Sequence, residues 1–145
     1  DERRTILENV TSYDFTETEL RGILSNFLFY GDDIYKKVAV LSPGEKARVA
    51  LCKILLKRAN LIILDEPTNH FDPETQKLIG ENLKDYSGTI IMVSHSPAFV
   101  EQIGITRMLI VPPHNDDPKQ PRLAIIKNYS RELLEYYYYL NSDLV

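Results

Sequence analysis

Two short runs constrain the fold most: LIIL at residues 61–64 and TIIMV at 89–93 are apolar at every position. A strand with one face in water alternates apolar and polar side chains; a strand of a parallel sheet with helices over both faces does not. Between the runs, residues Pro73 to Tyr86 read as a helix, the kind of crossover that two parallel strands require. A helix from Ser42 to about Arg58 precedes the first run, and a helix from Pro97 to Ile103 follows the second. The alternation predicts an α/β fold with a mostly parallel sheet, both strands central, and helices on both faces.

The first forty residues contain no such run. From Thr16 to Phe29, Leu20, Ile23, Leu24, Phe27 and Leu28 form one helical stripe, with Thr16 and Glu19 placed as a capping box and Gly31 as the stop. Weaker helices over Thr5–Val10 and Asp33–Val38 complete a small helical unit in which no strand is expected. Downstream, TRMLIV and RLAII flank the proline-rich PPHNDDPKQP (112–121), which predicts a two-stranded antiparallel edge with a long surface loop. A closing helix is expected from Ser130 to Leu140. The expected divisions are therefore a helical subdomain over 1–41, half of a sheet core over 42–111, and an edge hairpin with a C-terminal helix over 112–145.

At 145 residues the chain buries one sizeable core. Its net charge of −4 argues against holding nucleic acid or an anionic membrane by bulk electrostatics. One cysteine, Cys52, leaves no internal disulfide and reads as a small core residue, and no apolar run approaches the ~20 residues of a membrane helix. A soluble, cytoplasmic protein is expected. The opening Asp1-Glu2-Arg3-Arg4 has neither an initiator Met nor a signal segment, so the chain is expected to be a fragment of a longer protein.

In open parallel sheets, catalytic groups gather at the carboxyl ends of the strands. Asp65, Glu66 and His95 fall there. Asp65 can hold Mg2+ through water, because that ion takes a few carboxylate contacts together with phosphate oxygens. Glu66, one residue on, can polarise an attacking water, and a neutral His95 can reach a terminal phosphate or that water. Taken singly, a strand-end acid more often caps the next turn, and a lone histidine is more often structural. His70, His95 and His114 share no metal-ligand spacing, so no zinc is expected.

The segment LSPGEKARVAL (41–51) opens the helix at Ser42 with Pro43 at its first position and Glu45 three residues after the serine, a capping box with a preset first turn. Capping does not account for Gly44, which costs ~1 kcal/mol against alanine inside a helix and is better explained by something approaching the backbone closely. A phosphate fits that description: first-turn amides, the helix dipole and the Ser42 hydroxyl form an anion site without a lysine. A cap alone is the other explanation. None of the six glycines lies in G-x-x-x-x-G-K-[ST], so the usual cradle for inner phosphates is missing.

LSPGEKARVAL, LIILDEP, TNHFD and IIMVSH, in this order and spacing, resemble the ATP-binding cassette superfamily, and EPTNHFD is most similar to its soluble ABC-F branch. The resemblance covers nearly the whole chain. It implies a helical subdomain followed by the second half of a P-loop-type ATPase core, with the Walker A and Q-loop segments upstream. It places Ser42, Gly44 and Glu45 in the signature motif that caps ATP held by a second nucleotide-binding domain. It places Asp65 and Glu66 in Walker B, Asn69 through Asp72 in the D-loop region, and His95 as the switch histidine. GEKARVAL and KNYS are more similar to the second cassette of an ABC-F chain than to the first. Pro43 departs from the usual glycine and removes one N–H donor.

The cofactors implied are ATP and Mg2+. The implied partner beyond the second cassette is the ribosome, in translation support or antibiotic resistance by ribosome protection. An ATPase subunit of a membrane exporter is the alternative, and a non-catalytic interaction fragment is a third class. This chain alone is expected to be inactive. YYYY (136–139) spans a full helical turn, so its rings cannot share one core; packing on the neighbouring subdomain is expected rather than stacking on RNA.

Overall fold

Capping residues set most of the helix starts. The computed structural model describes residues 1–12, 14–69, 71–110 and 125–135. The chain divides into two compact units, Asp1–Ser94 and His95–Val145.

In the first unit, α1 (Ile6–Val10) starts at Thr5, whose Oγ1 accepts from the Glu8 amide at 3.1 Å while Glu8 Oε2 accepts from the Thr5 amide at 2.7 Å. This box makes the short helix firmer than its sequence suggests. Helix α2 (Glu17–Ser25) carries the expected Thr16–Glu19 box. It ends earlier than expected, and Gly31 is not its stop. Leu28 takes φ 62°, the Phe29 amide bonds back to the Leu24 carbonyl at 3.1 Å, and the turn delivers Phe27 and Phe29 into the core beside Leu20 and Leu24. Gly31 instead opens a 3-10 turn, Gly31–Tyr35, followed by another over Val38–Val40, where one short helix was expected. Thr5 and Lys37 form an isolated antiparallel bridge, so the helical region contains one strand-like contact.

Helix α3 (Pro43–Leu56) buries Val49, Leu51 and Cys52 and packs on α1. Burial pushes the Cys52 thiol up to about 12, consistent with an unreactive core residue. Strand β1 (Leu61–Asp65), helix α4 (Pro73–Lys84) and strand β2 (Thr89–Val93) follow as the alternation predicts. The strands pair in parallel, Leu61 opposite Thr89 through Asp65 opposite Val93.

The two strands differ from expectation in their cover. Ile62 and Leu64 are buried on one face, but the other face leaves Ile63 68% and Val93 54% exposed, with Leu61 and Ile91 beside them. Among the described residues of this unit, only one face of the strand pair is buried. The fully apolar pattern is that of strands buried on both.

In the second unit, Ser96 caps α5 (Pro97–Ile103), and Gly104, at φ 79°, ends it in a left-handed cap that suits a residue without Cβ. Strands β3 (Arg107–Ile110) and β4 (Ile125–Asn128) form the expected antiparallel pair. Residues 131–135 are helical, and Arg131 pairs with Glu101 at 3.4 Å and Glu135 at 3.1 Å. The loop over 112–121, the tyrosine run at 136–139 and His70 lie outside the described residues.

Candidate functional site

Helices α3 and α4 both begin with a capping residue followed by proline, and their first turns line one cavity of about 340 Å³. Ser42, Gly44 and Glu45 come from α3, Phe71, Asp72 and Thr75 from the start of α4, and Arg48 from the second turn of α3.

At α3, Ser42 Oγ accepts from the Glu45 amide at 3.3 Å and donates to Glu45 Oε2 at 2.7 Å, and the Ser42 amide donates to the same oxygen at 2.8 Å. The Ser42 hydroxyl and amide together hold the Glu45 carboxyl below its ordinary range. Lys46 N–H is bonded to the Ser42 carbonyl, and Pro43 has no N–H. The Gly44 amide is thus the first-turn donor left for an anion, fewer than the sequence suggested. The hydroxyl is available only if it leaves Glu45.

At α4, Asp72 Oδ1 accepts from the Thr75 amide and Oδ2 from the Thr75 hydroxyl, both at 2.9 Å. These two bonds hold the Asp72 carboxyl below its ordinary range, the amide contributing most. Both oxygens are engaged, so the structure gives Asp72 a capping part. Thr75 is buried, and the Gln76 side-chain Nε2 donates to the Phe71 carbonyl at 3.1 Å, fixing the end of the segment that starts at Glu66. Thr68 is buried within that segment and Asn69 is exposed.

Asp65 ends β1 on the open face of the sheet. Glu66 then leaves the strand with φ 43°, while its amide still bonds to the Val93 carbonyl at 2.9 Å. A left-handed glutamate is strained by about 1–3 kcal/mol, a cost typical of residues held for function. Among the described residues no three of His, Cys, Asp and Glu converge as a metal cage. A Mg2+ ion at Asp65 would accordingly draw its other ligands from water and phosphate, as that ion ordinarily does. His95 is exposed and opens the second unit.

Thus Ser42, Gly44, Glu45 and Asp72 share one cavity, Asp65 and Glu66 share one strand end, and His95 belongs to the other unit. Sequence reasoning placed Phe71 within the Asn69–Asp72 segment and missed Arg48 and Thr75. An Asp-x-x-Thr spacing ahead of a helical pattern was the available signal for Thr75. Arg48 had one too: it stands three residues from Glu45 on the same helix.

The family model described as ABC transporter matches residues 2–69. The Bacillus subtilis protein YdiF is 52% identical over 93 residues, which is 64% of this chain and 14% of YdiF. ABC transporter F family member 5 of Arabidopsis thaliana is 40% identical over 102 residues, 69% of this chain and 15% of that protein. The chain thus spans about one seventh of the length of these relatives. Among solved structures, an archaeal ribosome recycling factor in complex with an archaeal ribosomal stalk protein has a TM-score of 0.65 at 23% identity, over 79% of this chain and 23% of that one. That likeness is one of fold. Among the described residues, no helix is long and apolar enough to cross a membrane.

Proposed function

The chain belongs to the ATP-binding cassette superfamily, on its ABC-F branch, and we propose that it is part of an ATPase whose two cassettes close over ATP and act on the ribosome. The observation that carries this reading is the first turn of α3. A free Gly44 amide and a Ser42 hydroxyl sit at the positive end of a fourteen-residue helix, in a cavity wide enough for a phosphate group. In this reading Ser42 and Gly44 contact the terminal phosphate of ATP held by the facing cassette, the Ser42 hydroxyl leaving Glu45 to do so. The bare apolar face of β1 and β2 supports a place inside a larger protein, because such a face is stable when another layer covers it.

Bound ATP supplies the phosphoryl group, and Mg2+ would screen its charge at Asp65. Glu66 would orient the attacking water from a strained, left-handed position at the end of β1. His95 would contact the terminal phosphate, and Asn69 would face the second cassette from a segment pinned by Asp72 and Gln76. The ribosome as partner rests on the resemblance of EPTNHFD to the ABC-F branch.

Co-sedimentation of the full-length protein carrying Glu66→Gln with ribosomes, in ATP and Mg2+, tests the proposal. Losing a water-orienting base slows turnover about 100- to 10,000-fold, so the variant is expected to stay closed and to pellet with ribosomes only when ATP is present. Normal turnover would refute the part given to Glu66. ATP binding without pelleting would favour a transporter subunit.

A further inference from the structure

Glu45 and Arg48 stand three residues apart on α3, a spacing at which opposite charges on a helix meet. Among the described residues no ion pair joins them, although the Arg48 charge adds to the Ser42 hydrogen bonds in holding the Glu45 carboxyl low. Glu45 Oε2 faces back to the Ser42 hydroxyl at 2.7 Å and amide at 2.8 Å. The Arg48 guanidinium lies 5.1 Å from the centre of the Phe29 ring. Its Nε is shut from solvent and has no hydrogen-bond partner among the described residues. A buried donor without an acceptor is costly and needs an explanation. Asp33 and Glu45 both feel the Arg48 charge; Asp33 is engaged with Lys36 at 2.6 Å, and Glu45 stands one turn from Arg48 on the same helix.

We propose that this is the resting arrangement of an exchange: an anion arriving at the start of α3 takes over the Ser42 hydroxyl, and the displaced Glu45 carboxylate moves one turn along the helix to Arg48 Nε. The inference rests on the phosphate site proposed above and adds its regulation. Ser42 has one hydroxyl proton, at present donated to Glu45, and cannot donate it to a phosphate at the same time. A carboxylate left beside an incoming phosphate would also repel it. Moving to Arg48 removes that charge from the cavity mouth and satisfies the buried Nε in one step. Arg48 is then a positioning residue acting through Glu45, and the capping box is a latch that the ligand opens.

The test is a double-substitution cycle in the full-length protein, with Mg-ATP binding measured for the unsubstituted protein, Arg48→Lys, Glu45→Gln and the pair. Lysine keeps the positive charge and lacks Nε. Arg48→Lys alone is expected to weaken binding about tenfold, and less than about twofold when Glu45→Gln is also present, within the coupling range of contacting charged groups. Equal losses in both backgrounds would mean that Arg48 meets the anion directly, and no loss in either would make it a packing residue; both results overturn the exchange. Thermal unfolding of the same four proteins without ligand should show much smaller coupling than ligand binding does, because at rest the Glu45 carboxylate is bonded to Ser42 and Arg48 acts on it only as a neighbouring charge. Coupling there as large as that in binding would also overturn it. If the unsubstituted protein binds no Mg-ATP, the phosphate site falls and the exchange with it, a result distinct from binding with independent effects.

Discussion

Helices α3 and α4 begin alike and are built for different ends. Each has a capping residue followed by proline, with an acid in its first turn. At α4 the cap is closed: the Asp72 carboxylate meets the amide and hydroxyl of a buried Thr75, and Gln76 ties the preceding carbonyl. At α3 the cap is a hydroxyl and a carboxylate that bond to each other beside a glycine amide left free, with a buried Arg48 Nε that lacks an acceptor, and in the exchange proposed above this pair opens. The same local grammar thus gives one helix start that holds a loop and one that can release a donor. The difference lies in the second half of each box: a buried threonine cannot be displaced by a ligand, whereas a half-buried glutamate can.

Three measurements press on that contrast. The largest effect is expected in the body of α4, which anchors its rigid start: Ile79 is fully buried, and Ile79→Ala should lower the urea unfolding free energy by about 2–5 kcal/mol. If α4 is mainly a scaffold, ATP affinity of the folded fraction should change little. A loss of affinity as large as the loss of stability would blur the distinction between the two helices.

Next come the caps themselves. Ser42→Ala and Asp72→Ala should each lower stability by about 1 kcal/mol, seen as similar shifts in unfolding midpoint. Only Ser42→Ala should also weaken ATP-driven closure, and Asp72→Ser should restore most of what Asp72→Ala loses. Closure lost equally in both alanine variants would break the comparison.

The smallest effect is a pH dependence. Both Glu45 and Asp72 are held below their ordinary range by hydrogen bonds to the charged form. A depressed folded-state value contributes stability that is present above the unfolded value, about pH 4, and lost as pH falls through the folded one. The thermal midpoint should therefore decline below about pH 4, and Glu45→Gln or Asp72→Ser should each flatten part of that decline. A midpoint that rises on acidification would contradict both caps.

Much of the fold was legible in the sequence because it depends on near neighbours. The capping boxes at Thr16 and Ser42 are contacts across three residues, and α5 ends where Gly104 permits a left-handed cap. The order of signature, strand-end acids and histidine was equally readable and pointed to the family that the comparisons give. The end of α2 was misread because Leu28 adopts a left-handed turn so that Phe27 and Phe29 both reach the core, a choice made by packing against the local preference of leucine.

By itself, then, the sequence determined the α/β class, most helix starts, the parallel pairing of two apolar strands and the types of residue that can handle a phosphate. Tertiary structure alone decided that the starts of α3 and α4, some thirty residues apart, open on one cavity, that the threonine of the Asp72 cap is buried, and that Glu66 leaves its strand through a strained backbone. It also left one apolar sheet face bare and Arg48 Nε without an acceptor. The reason is one of range. Helix caps and strand patterns are fixed by contacts within a few residues, whereas convergence, burial and backbone strain are set by how distant segments pack, which no local pattern encodes.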